Sequence, residues 1–154
     1  MKEWEVRACE WQADLFERSI SVFSCGSQYF LFRFLQSDIA FDVDSMNPLD
    51  PLPAVPEAFG SLLSQFPSLS GKKGPKADAK TMRYIGYLSR AYILKKKRTS
   101  SALLRDISTE KLVSLYDVYH TFDIDYAVER LDELIQEEKP RSSDKELFRR
   151  VFGF

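Results

Sequence analysis

The chain has 154 residues, enough for one domain with a sizeable core, and its 44% hydrophobic and 14% aromatic content excludes a disordered polymer. A formal net charge of −1 conceals strong segregation: residues 1–60 carry 4 basic and 10 acidic groups, residues 72–105 carry 11 and 1, residues 106–140 carry 3 and 10, and residues 141–154 carry 4 and 2. Two cysteines, Cys9 and Cys25, are too few for a disulfide framework or a metal site, and the opening Met1-Lys2-Glu3-Trp4-Glu5 lacks the apolar run of a secretory signal.

The greasiest stretch, residues 29–35, is interrupted by Arg33 and is too short to span a bilayer, so the expectation is a cytoplasmic protein. Hydrophobic periodicity predicts an all-α fold: a single domain over residues 1–154, an irregular bundle of about six to seven helices, with flexible loops near 42–56 and 67–77.

Residues 3–23 read as the first helix. Trp4, Ala8, Trp11, Leu15 and Val22 form one apolar stripe, and Cys9, Ala13, Phe16, Ile20 and Phe23 an adjacent one. So wide a face calls for two partner helices, with the tryptophans as core anchors. Ser27 can cap a second helix reaching roughly Ile39, apolar nearly all round and therefore suited to a central position. A rival reading pairs residues 20–23 with 29–34 as a β-hairpin about Cys25-Gly26; helix is preferred because the first stripe runs on unbroken.

From Phe41 the chain reads as a loop holding Pro48, Pro51, Pro53 and Pro56. Its Asp42, Asp44 and Asp50 lack the spacing, glycine and terminal glutamate of a calcium loop and are read as a solvated acidic segment. A short helix follows over 56–66, then a flexible basic loop over 69–76 that is not a phosphate loop.

Asp78 is placed to cap the helix about which the chain is organised. Met82, Ile85, Leu88 and Tyr92 form its apolar stripe, and Lys80, Arg83, Arg90 and Lys97 fall near the opposite one. Its end, Lys95-Lys96-Lys97-Arg98, suits the partial negative charge of a helix C-terminus. Two short helices are predicted over 102–106 and from Ser108 to about Tyr119. Asp123 caps the last long one, where Ile124, Ala127, Val128, Leu131 and Ile135 keep a strong rhythm. Beyond Pro140, Ser143 and Glu146 have the spacing of a capping box for a terminal helix over 144–152, and Phe154 is expected to dock on the body.

Candidate chemistry is sparse. His120 is the sole histidine, which argues against a metal centre, and its expected role is to bond a carbonyl at a helix end. No nucleophile elbow or glycine-rich nucleotide fingerprint occurs, so neither cofactor nor metal is expected, and no catalytic residue is assigned. The segment near 79–119 has helix-turn-helix dimensions behind a basic helix, which makes a DNA- or RNA-binding regulator the alternative function. Its would-be reading helix, however, shows Glu110 and Asp117 to the outside. Candidate contacts to a partner or to nucleic acid are Lys80, Arg83, Arg90, Lys95, Lys96, Lys97, Arg98 and Arg105; this basic block faces either acidic neighbours in the molecule or an anionic partner.

Two segments carry a likeness. Met82-Arg83-Tyr84-Ile85-Gly86-Tyr87-Leu88-Ser89-Arg90-Ala91-Tyr92, and Leu115-Tyr116-Asp117-Val118-Tyr119-His120-Thr121-Phe122-Asp123 followed by Ala127-Val128-Glu129-Arg130-Leu131, resemble a group of small, uncharacterised bacterial proteins. In that group a "YIGY-LYRYW"-like helix precedes a "YHTMD…AIERL"-like ending. Ser100-Ser101 and the pattern of Ser27, Phe30, Arg33, Phe34 and Ser37 fit as well. Some members sit beside toxin genes and carry an antitoxin label. The resemblance thus implies a non-enzymatic antitoxin or immunity-type protein that neutralises a partner protein, away from membranes; it carries over no functional residues. Ala91 and the Lys95–Arg98 run depart from the group's pattern.

Overall fold

A computed structural model of the chain describes residues 1–71 and 73–138. Those residues form eight α-helices and no strand: α1 Glu3–Val22, α2 Ser27–Gln36, α3 Asp38–Asp44, α4 Val55–Gln65, α5 Ala79–Lys96, α6 Ser100–Asp106, α7 Thr109–Tyr119 and α8 Ile124–Glu138. One 3-10 turn, Pro67–Ser70, follows α4. The all-α expectation holds, with more and shorter helices than the six or seven read from the sequence. The terminal helix expected over 144–152 and the docking of Phe154 lie outside the described residues.

The axis of the fold is the pairing of α1 with α5, the most extensive helix contact in the molecule. Gly86 permits it. A Cβ there would lie 2.6 Å from the Gln12 carbonyl oxygen, 2.9 Å from Phe16 Cγ and 3.0 Å from Ala13 Cα, so glycine on one helix faces alanine on the other and the backbones meet. Around this crossing Phe16 packs edge-on against Phe30 and Phe34, at 5.3 and 5.0 Å between centroids, and Phe23 against Phe59 at 5.4 Å. The hairpin alternative does not form: α1 runs unbroken to Val22 and α2 begins at Ser27.

Two expectations are corrected. First, α2 is not the central helix. Phe30, Leu31, Phe34 and Leu35 are buried, but Phe32 is exposed and Arg33 lies over the rings of Tyr29, Phe32 and Phe66. The central helix is α5, which buries nine residues. Second, the second helix stops at Gln36, and Ser27 does not cap it: Gly26 is the N-cap, without a side-chain bond, and the Ser27 hydroxyl accepts instead from the Ala77 N–H at 2.9 Å. The Ser37 hydroxyl accepts from the Ala40 N–H at 3.1 Å and starts α3, so Phe41-Asp42-Val43-Asp44 is helical rather than loop. Residues 67–71 and 73–77 also bond to the body of the fold. The Cys25 N–H donates to the Leu69 carbonyl and the Ser27 N–H to that of Pro75, while Lys76 Nζ donates to the carbonyls of Ile20 and Phe23, at 2.5 and 2.8 Å, at the negative end of α1. Of the two tryptophans, Trp11 is buried and its Nε1–H donates to the Pro53 carbonyl at 2.7 Å, pinning the proline segment to α1; Trp4 is only half-buried.

The helix starts follow the sequence. Asp78 accepts from the Thr81 N–H at 2.7 Å, Thr99 from Ala102 at 3.1 Å, and Ser108 from Lys111 at 3.1 Å. The first bond holds the Asp78 carboxyl below the usual carboxylate range. α5 ends with Lys97 in the left-handed region, φ 51°, and the Arg98 N–H closes back onto the Ile93 carbonyl.

Two glycines give opposite tests. Gly86→Ala is expected to cost about 1–3 kcal/mol, because a methyl must force α1 and α5 apart. Gly60, within α4, has nothing within 4 Å of an added Cβ, so Gly60→Ala is expected to stabilise by about 0.5–1 kcal/mol. Urea unfolding of both variants checks the pair of signs.

Candidate functional site

The eight basic candidates are not one surface. Arg90 is fully buried. Its Nε–H donates to Gln12 Oε1 at 2.8 Å, one terminal nitrogen to Asp44 Oδ1 at 2.6 Å, and the other to Ser100 Oγ at 3.4 Å. Asp44 in turn accepts from the Ser100 N–H at 2.7 Å and its hydroxyl at 2.8 Å. The Gln12 amide donates to the Gly86 carbonyl and to Ser89 Oγ, at 3.1 and 2.9 Å. Burial lowers the Arg90 pKa and the Asp44 carboxylate raises it again; an arginine keeps its charge regardless. Arg90 is therefore a structural residue joining α1, α3, α5 and α6, and it reaches no partner.

Four more of the eight are ion-paired. Arg83 bonds Asp14 and Glu17, Lys95 bonds Asp125, Lys96 bonds Glu129 at 2.6 Å with Asp132 at 3.9 Å, and Arg98 bonds Asp106 at 2.8 Å. Acidic α8 thus lies along the basic end of α5, the internal of the two alternatives that the charge blocks leave open. Lys80, Lys97 and Arg105 are exposed and in none of these pairs. The helix-turn-helix-like segment exists as α5, α6 and α7. On α7, Leu112, Leu115 and Tyr119 are buried, and the outer side presents Glu110, Lys111 and Asp117. His120 is exposed, bonds the Tyr116 carbonyl through Nδ1 at 2.6 Å and stacks on the Tyr116 ring. It serves as a helix-end histidine.

Chemistry at the thiols is suppressed, since burial pushes Cys9 up to about 12 and raises Cys25 as well. Among the described residues, no group of three or more His, Cys, Asp or Glu side chains could hold a metal ion, and no helix is long and apolar enough to cross a membrane.

A connected set of concavities lies elsewhere, between α3, the proline segment and α4. A cleft of about 610 Å³ is floored by Ile39, Val43, Met46 and Leu52 and rimmed by Asp42, Asp50 and Glu57. Past Asp42 and Glu57 it continues as a groove of about 790 Å³ with Asp38, Gly60 and Gln65. Past Met46 and Asp50 it opens into a hollow of about 420 Å³ beside Trp4, Arg7 and Leu49. We refer to the three together as the furrow. None of its four rim carboxylates is in an ion pair among the described residues. Phe41 at 66% exposure and Leu49 at 96% stand nearby, large apolar side chains left in solvent.

Of these acids, Asp42 and Asp50 belong to the segment that the sequence presents as a solvated acidic loop. A usable signal was present: residues 34–71 contain Asp38, Asp42, Asp44, Asp50 and Glu57 and not one Lys, Arg or His. What stayed hidden was α3, which puts Asp38 and Asp42 four residues apart on one helical face.

The fold and its surface thus define an all-α protein whose notable site is an acidic, apolar-floored furrow. Scans against protein-family models, curated proteins and solved structures return no match to this chain.

The two kinds of ion pair differ in their expected weight. Asp44→Ala strands a buried guanidinium and is expected to cost about 3–5 kcal/mol, whereas Lys95→Ala and Lys96→Ala, each against a half-exposed carboxylate, leave the melting temperature close to that of the parent. Thermal unfolding of the three variants measures the contrast. The hydrogen bond from Lys95 holds the Asp125 carboxyl below its ordinary value, as Thr81 does for Asp78. Their contribution to stability is full above the ordinary carboxylate pKa and is lost as pH falls through the depressed folded values. Asp125→Asn is therefore expected to flatten the acid side of the stability–pH curve and to leave its alkaline side unchanged, as read by denaturant unfolding across that range.

Proposed function

We propose that this chain is a non-enzymatic interaction protein of the antitoxin or immunity type, acting in the cytoplasm by binding and neutralising a partner protein. The observation that carries the reading is the furrow: unpaired carboxylates around an apolar floor, flanked by exposed Phe41 and Leu49. Such a surface costs little to desolvate at its centre and selects a partner by charge at its edge. The likeness to bacterial proteins that carry an antitoxin label supports the same reading. The basic block gives little support to nucleic-acid binding, because Arg83, Arg90, Lys95, Lys96 and Arg98 already have acidic partners at home.

Co-expression with the products of the adjacent genes, followed by size-exclusion chromatography, is expected to yield a stable complex and to relieve any toxicity of the partner. Failure to form a complex with either neighbour, together with no complex recovered from the native host, removes the reading. Titration with duplex DNA and with RNA at two salt concentrations is expected to show no steeply salt-dependent binding; tight binding that weakens steeply with salt would put the nucleic-acid regulator in its place.

A further inference from the structure

We infer that the furrow between α3 and α4 receives a basic amphipathic segment of the partner: a helix with one apolar stripe and lysine or arginine on its flanks. This rests on the interaction-protein reading and names the chemistry of its partner.

Charge complementarity is the first argument. The four rim carboxylates are Asp38 and Asp42 on α3, Asp50 in the proline segment and Glu57 on α4. They edge three connected concavities, and all four are exposed. Arg7 is the single cation along the furrow, at one end, and it is paired with Glu3. A cationic flank on the ligand therefore meets carboxylates along most of the furrow's length.

Shape and polarity supply the second argument. The floor is aliphatic, from Ile39, Val43, Met46 and Leu52, so a purely hydrophilic polycation would leave it wet. An apolar stripe on the ligand would cover it, in the manner of a helix laid into a groove. Gly60 on α4 lines the groove at one end of the furrow and has open space where a side chain would stand, which leaves width there for a helix backbone to approach.

Rigidity is the third. Two of the elements that line the furrow, α3 and the proline segment, are fixed before any ligand arrives. Asp44, the last residue of α3, is locked to Arg90 and Ser100, and the proline segment is held by the Trp11 hydrogen bond to Pro53 at 2.7 Å. A preformed groove spares the ordering cost that a loop would incur on binding.

The experiment uses the full chain and synthetic helical peptides, read by fluorescence anisotropy and by amide chemical shifts. A lysine–leucine amphipathic peptide is expected to bind, with shifts concentrated in α3, residues 46–54 and α4. A glutamate–leucine peptide of the same pattern and a lysine–serine peptide are expected to bind far more weakly. Charge reversal by Asp42→Lys with Glu57→Lys is expected to weaken the lysine–leucine complex by about ten-fold or more, and the same reversal at Glu110 and Asp117 on α7 to leave it unchanged. Gly60→Arg, at a position open to solvent, provides a second block that does not touch the core. Circular dichroism and thermal unfolding confirm that each variant is folded. Equal binding of all three peptides, shifts centred on other helices, or indifference to both blocks would overturn the inference. So would cross-links showing the furrow of the free chain filled by residues 139–154 or by a second copy. A partner complex that survives Asp42→Lys/Glu57→Lys sinks this inference and leaves the functional reading standing; absence of any partner complex sinks the reading itself.

Discussion

Arg90 and Asp44 form a buried ion pair at the junction of four helices, and the architecture turns on satisfying it. A guanidinium out of water is tolerable only with its charge matched and its donors bonded, and here the matching groups come from three other helices: Gln12 on α1, Asp44 on α3 and Ser100 on α6. Greasy packing alone would let short helices such as α3 and α6 slide over the aromatic core. The pair does not: sliding α3 off α5 would abandon a charge in the interior. The close crossing of α1 and α5 at Gly86 is part of the same construction, since Gln12 there contributes both a backbone that touches Gly86 and an amide that braces Arg90 and Ser89.

The segregated charge of the sequence is resolved mostly inside the molecule. The cationic end of α5 meets the acidic face of α8, and the helix-terminal carbonyls of α5 favour the same cations. Arg83 settles on Asp14 and Glu17 of α1. The N-terminal half still has more acids than its own cations can match, and four of them, Asp38, Asp42, Asp50 and Glu57, gather where α3, the proline segment and α4 meet. The net charge of −1 is thus a poor guide to the molecular surface: the carboxylates outside any ion pair around the furrow are negative.

Much of the fold was legible because local chemistry and periodicity agree. Asp78, Thr99 and Ser108 cap the helices they precede, and the apolar rhythms of α1, α5 and α8 match their buried faces. Two readings failed for identifiable reasons. Prolines at 48, 51, 53 and 56 made the whole of 42–56 look irregular, and a seven-residue α3 is too short for periodicity to stand out against them. Arg90 shares a stripe with Arg83 and Lys97, and helical geometry alone puts all three on one outer face. Seven residues is about 10 Å of helix, however, and along that length α3 and α6 cover the Arg90 level while Arg83 and Lys97 remain exposed. Coverage by elements distant in sequence leaves no local trace. The furrow was obscured for the same reason, because its walls are assembled from α3, α4 and a segment fastened to α1.

The partners of Arg90 lie at positions 12, 44 and 100, so the bonds that neutralise it span much of the described chain. No stretch of polypeptide shorter than that can hold the guanidinium in comfort, and a half-assembled form with α5 seated on α1 but α3 adrift would confine a lone cation in oil. Intermediates of that kind are penalised, and loosening anywhere among the four helices is felt by the others. A tug on the outer face of α3 is transmitted through Asp44 to the spine of the molecule, so the α3 wall of the furrow and the central helix pair are mechanically joined.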